Sequence, residues 1–153
     1  MRTGARILLF ITVLALSASP ALAQQGMGIG VIVGEPTGLS LKTWLHPSTA
    51  FALGVAWSFE SEDALNLTGD YLVHNYNTFP VSKGRLPFYY GLGARLKLGD
   101  LDSSVGIRVP VGIEYLFQNH PVDLFFELVP IMDITPRTEF GLNASLGARY
   151  FFQ

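Results

Sequence analysis

The sequence predicts an all-β protein: an eight-stranded antiparallel up-and-down transmembrane β-barrel, closed on itself, with a wall that faces lipid. Three observations carry this. Residues alternate with period two through most of the chain, in runs separated by turn residues. One half of the alternation is bulky and apolar and holds no charge, whereas the other is rich in Gly, Ser and charged side chains. Charged residues make up only 14% of the chain, against about 25% in an average soluble domain. Much of the surface is therefore expected to avoid water.

The first element is a leader, residues 1–23. Arg2 and Arg6 make a positive start, 7–16 is an apolar stretch of ten residues, and Ala21-Leu22-Ala23 is a small-x-small cleavage site. Ten apolar residues are too few to span a bilayer as a helix, which takes about 20. Cleavage and export are expected, with the barrel domain occupying 24–153. Two of the ten basic residues lie in the leader, so eight remain against 12 acidic ones, a net charge near −4. No basic run exists, so nucleic acid is not an expected partner. There is no cysteine, so stability must come from packing and hydrogen bonds.

Eight alternating runs follow, near 27–34, 39–45, 50–59, 64–75, 87–98, 104–117, 122–134 and 140–152. The breaks between them carry turn chemistry, as in Glu35-Pro36-Thr37-Gly38, His46-Pro47-Ser48-Thr49 and Thr135-Pro136-Arg137-Thr138-Glu139. The longest, 77–86, contains Pro80 and Lys83-Gly84-Arg85. All are short enough to join antiparallel neighbours. One face reads Ile29, Val31, Val33 in the first run and Val105, Ile107, Val109, Val111, Ile113 in the sixth, and the other runs follow suit. The opposite face holds Ser40, Gly54, Asn66, Gly93, Gly112 and Ser145 among its small and polar members. A water-soluble barrel would put the bulky face inside; a lipid-facing one puts the small, polar face there. On this reading a serine at inward Gly112 is a mild change and an arginine at outward Val111 a severe one. Hydrocarbon also demands closure, because an open edge leaves backbone groups unpaired.

A chain entering from the periplasm with an even number of strands returns both termini there. Phe88, Tyr90, Tyr115, Phe117, Phe126, Tyr150 and Phe152 then fall near the periplasmic rim, and Trp57, Phe59 and Phe140 near the outer rim. Two aromatic bands are what the interfaces favour. The outer connections would be the short ones.

The last run, 142–152, resembles the C-terminal strand of bacterial outer-membrane barrels, which ends in an aromatic preceded by alternating apolar residues. The resemblance implies an assembly signal at Phe152, Tyr150 and Leu146, read by the outer-membrane assembly machinery; Gln153 is one residue beyond the usual end. Strand number and length resemble the small OmpA/OmpX-type barrels across the whole of 24–153. Asp123-Leu124-Phe125-Phe126-Glu127-Leu128-Val129-Pro130 and Gly147-Ala148-Arg149-Tyr150-Phe151-Phe152 also resemble an uncharacterised family of outer-membrane barrels with no established activity. The implied location is the cell outer membrane of a Gram-negative-type bacterium, with its lipids as partners and a monomer as the expected state.

Candidate chemistry lies on the inward face. Lys42, Arg95, Lys97, Arg108 and Arg149 oppose Asp70, Glu114, Asp123, Glu127 and Asp133, five against five. An eight-stranded barrel is just wide enough for side chains to fill, and unpaired charges there are costly. The expectation is a structural plug of ion pairs; the functional alternative is a narrow ion or small-solute channel. Arg95 and Arg108 fall on neighbouring strands, as do Glu114 and Glu127, so counter-ions must come from elsewhere in the ring. Glu114 with Glu127 would make an acid/base pair only if a cleft admitted substrate. His46, His74 and His120 are scattered and are expected as turn and rim residues rather than metal ligands. A lipid-modifying enzyme would need a catalytic group at the outer rim. Ser58, Ser61, Ser103 and Ser104 fall there without a histidine, so no enzyme activity and no cofactor are expected.

Overall fold

The computed structural model describes residues 26–58, 64–99 and 103–152. The leader 1–23, Phe59, Ser61 and Gln153 lie outside the described residues, as does the side chain of Ser58. The strands are β1 (Met27–Gly34), β2 (Thr37–His46), β3 (Thr49–Ser58), β4 (Ala64–Asn75), β5 (Phe88–Leu98), β6 (Ser104–Arg108), β7 (Val111–Leu116), β8 (Val122–Thr135) and β9 (Glu139–Phe152).

Strands β1 to β5 pair antiparallel in chain order, as do β8 and β9, and β1 pairs with β9 from Met27↔Phe152 to Gly34↔Ser145, which closes the ring. The run expected over 104–117 is divided at Val109-Pro110, because proline has no N–H to give the ladder. Its halves occupy one place in the wall: both β6 and β7 lie between β5 and β8. The wall stays bonded across the break. Pro110 O accepts from Gly91 N at 2.9 Å, and Val109 N donates to Pro130 O at 3.0 Å. Nine segments thus make eight staves.

Solvent exposure inverts the pattern of a water-soluble protein. Large apolar side chains stand exposed, such as Phe140 at 81%, Leu142 at 67% and Leu92 at 62%, while Lys42, Glu114 and Asp123 are fully buried. Parity is kept through every strand, including across Pro110, where Ile107, Val109 and Ile113 all face out. At the rim holding the ends of β1 and β9, outward aromatics pack in pairs: Tyr115 with Phe117 at 4.8 Å and Tyr150 with Phe152 at 5.1 Å between centroids, both edge to face. We call this the terminal rim and the opposite one the far rim.

The inward glycines are tighter than a small polar lining requires. A Cβ at Gly112 would stand 2.5 Å from Phe126 O and 2.6 Å from the Tyr89 ring. The expectation that serine is mild at this position is therefore wrong: Tyr89 fills the space that the missing side chain leaves.

Candidate functional site: the filled lumen

Strand parity aims the inward charges, and strand position sets their depth. Nearest the terminal rim stand Lys42 and His74, late in β2 and β4, Glu114 in β7, Asp123 at the start of β8 and Arg149 late in β9. Lys42 Nζ donates to Glu114 Oε1 at 2.7 Å and Oε2 at 2.9 Å. Arg149 Nη2 donates to Glu114 Oε1 at 2.8 Å, and its Nε reaches the two Asp123 oxygens at 3.0 and 3.1 Å. Two cations and two carboxylates balance. Charge-assisted bonds of this length are the strong kind, and balance is what lets charges stay buried. Both cations also sit over rings, Arg149 over Phe125 at 4.1 Å and Lys42 over Trp44 at 4.3 Å.

His74 belongs to this group and is not the rim residue expected. Its ring is buried, with Nδ1 3.3 Å from Ser48 O. A carbonyl only accepts, so Nδ1 carries a proton. Nε2 then lies 2.9 Å from Lys42 Nζ and 3.1 Å from Glu114 Oε2. Unprotonated it accepts from Lys42; protonated it donates to Glu114.

At mid-depth Arg108 bridges two carboxylates, with Nε 3.1 Å from Asp70 Oδ1 and Nη2 3.0 Å from Glu127 Oε1. Tyr89, missed by the sequence reading, donates its hydroxyl to Glu127 Oε2 at 2.6 Å. The signal for it was available: 89 has the inward parity of Gly91, Gly93 and Arg95. Toward the far rim Arg95 Nη2 holds both oxygens of Asp133 at 2.6 and 2.7 Å. Lys97 forms no ion pair among the described residues. Arg95 and Arg108 are thus each neutralised from other strands, as are Glu114 and Glu127.

Between the charge layers lies an apolar one of Leu72, Tyr89 and Phe125. A cavity of about 40 Å³ beside Asp70, Arg108 and Glu127 has room for a few waters at about 10–15 Å³ each. The terminal end is closed by Trp44, Ala50 and Phe151, packed with Tyr76 and Leu116. Beyond them opens a vestibule of about 740 Å³. Tyr76, past the end of β4, donates to Pro47 O at 2.8 Å. Burial pushes its phenol up to about 12, against the opposing pull of the Arg85 guanidinium. Among the described residues no cluster of His, Asp and Glu is placed to hold a metal ion. Phe152, Tyr150 and Leu146 face outward along β9, well exposed, and Phe152 and Tyr150 belong to the terminal-rim aromatics.

A closed antiparallel barrel with an apolar exterior and a charged, filled interior defines the class. Two solved structures share the barrel fold. One is the N-terminal β-barrel domain of OprF from Pseudomonas aeruginosa, with a TM-score of 0.58 and 15% identity over 82% of this chain and 95% of that one. The other is Neisserial surface protein A, NspA, with a TM-score of 0.51 and 17% identity over 82% of this chain and 93% of that one. At such identities the likeness is one of fold. No protein-family model matches this sequence, and no curated protein does. The resemblance of 123–130 and 147–152 to an uncharacterised barrel family thus rests on those residues alone.

Proposed function

We propose that this protein is a monomeric, non-enzymatic β-barrel of the bacterial outer membrane with a structural role in the envelope. One observation carries the reading. Of the ten charged side chains expected on the inward face, nine join in ion pairs inside the lumen, while the outward wall is apolar. Such a wall suits hydrocarbon, and such an interior suits a plug. The fold shared with the OprF domain and NspA supports the location. So does the leader-like start of the sequence. Phe152, Tyr150 and Leu146 would serve as the signal for the assembly machinery.

The vestibule favours a second reading, a narrow path for ions or small solutes. Against it, Trp44 lines the vestibule and also packs on His74, at 4.5 Å between ring centroids. The aromatic floor thus sits directly on the first charge cluster.

The membrane reading is tested by the folding medium. The protein should need detergent or lipid to fold, then give a β-type circular dichroism spectrum and migrate differently on gels before and after boiling. A chain that is folded, monomeric and soluble without detergent contradicts it.

A further inference from the structure

The connections at the two rims differ in charge. Among the described residues of the far-rim connections, 35–36, 99, 103 and 136–138, Glu35 stands against Arg137. Those at the terminal rim, 47–48, 76–87 and 117–121, hold Lys83, Arg85 and His120 and no Asp or Glu.

The backbone that carries Lys83 and Arg85 is set in place. Arg85 N donates to Leu116 O at 3.0 Å and Leu116 N to Arg85 O at 2.7 Å, which ties the connection to the end of β7. Tyr115 donates its hydroxyl to Lys83 O at 3.0 Å. Gly84 between them has φ of +69°, which L side chains rarely adopt. The Arg85 guanidinium lies 5.0 Å from the Tyr76 ring centroid and has no carboxylate partner among the described residues. In the same connection Phe79 and Val81 expose their apolar side chains.

The vestibule that Arg85 and Tyr76 flank runs from the inner floor to the outer wall. Trp44 and Phe151 line its inner side, and the outward-facing Phe117, Tyr150 and Phe152 its outer side. A space with a cation at the water level, inward aromatics on one side and lipid-facing aromatics on the other suits an amphiphile. Its headgroup would sit in the vestibule and its tails would follow the girdle.

We propose that the terminal rim binds anionic phospholipid, with Arg85 and Lys83 taking the headgroup phosphate and Phe79 and Val81 entering the interface beside it. This rests on the membrane-barrel reading above. Basic residues next to an anionic leaflet are attracted to it, each by about 1 kcal/mol, or roughly fivefold in affinity.

The test is native mass spectrometry of the protein purified in detergent, titrated with phosphatidylglycerol or phosphatidylcholine. The wild type should retain phosphatidylglycerol about tenfold or more over phosphatidylcholine, and Arg85→Gln and Lys83→Gln should each cut that preference roughly fivefold. Arg137→Gln at the far rim should leave it unchanged, as should millimolar glycerol 3-phosphate. The backbone bonds of Arg85 do not depend on its side chain, so heat-modifiable migration should be kept in both variants and shows that they fold. Equal retention of the two lipids, indifference to both substitutions, or full displacement by glycerol 3-phosphate would each overturn the proposal, the last by marking a site for soluble phosphate. A chain folded without detergent defeats the membrane reading and this proposal with it. A detergent-folded barrel without lipid preference defeats this proposal alone.

Discussion

The two faces of this wall are made of alternate residues, and they obey opposite rules. Val111 and Gly112 are bonded to one another, yet Val111 looks outward beside Ile113 and Val109, and Gly112 looks in at Tyr89. Outside, apolar side chains are exposed along every strand. Inside, Lys42, Glu114 and Asp123 are fully buried beside Tyr89. The hydrophobic effect that drives a soluble core inward contributes less here, because most large apolar side chains end up on the surface and only two small apolar clusters lie inside. The wall's own hydrogen bonds and the ion pairs of the lumen carry much of the rest, and the outward face sets the solvent it can live in.

The largest expected effect comes from breaking the inside. Glu114→Ala would leave Lys42 and Arg149 buried without their shared partner, at a cost of about 3–5 kcal/mol. The midpoint of urea unfolding in lipid vesicles measures it. A midpoint equal to the wild type would mean that water reaches these charges.

Putting a charge on the outside comes next. Val111→Arg on the lipid face should cost roughly 2–4 kcal/mol if it sits at the bilayer midplane. Gly141→Ser sharpens the contrast: it lies on the inward parity of β9, and an added Cβ there meets nothing within 4 Å. Its unfolding midpoint should be that of the wild type. Comparable losses at Val111 and Gly141 would mean that the faces are assigned wrongly.

Which residues share a face was legible in the sequence, because a period of two leaves only one assignment once one residue is placed. Even numbers point outward in β5 and odd ones inward, from Phe88 to Leu98. The partners of each charge were not legible. Lys42 and Glu114 are 72 residues apart and meet only because the ring closes. Parity says that a side chain points in, not which side of the lumen it leaves. Tyr89 had the inward parity but was passed over, and His74, expected to face inward, reads as a rim residue; each has an apolar ring and a polar edge and fits a rim as readily as a core. Gly112 was misread for a related reason. Smallness looked like tolerance, when it was the space needed by Tyr89. The break at Val109-Pro110 was signalled by the proline itself, but the alternation, which runs through it unchanged, outweighed that signal.

If ion pairs and aromatic layers fill the lumen, no continuous water path joins the two rims. Single-channel recording of the wild-type protein in a planar bilayer, beside Glu114→Ala in the same lipid, tests it most directly. The wild type should pass almost no current, and Glu114→Ala should lose stability before any conductance appears. Steady wild-type conductance, with ion selectivity that changes in Glu114→Ala while its unfolding midpoint does not, would contradict the account and make the barrel a channel.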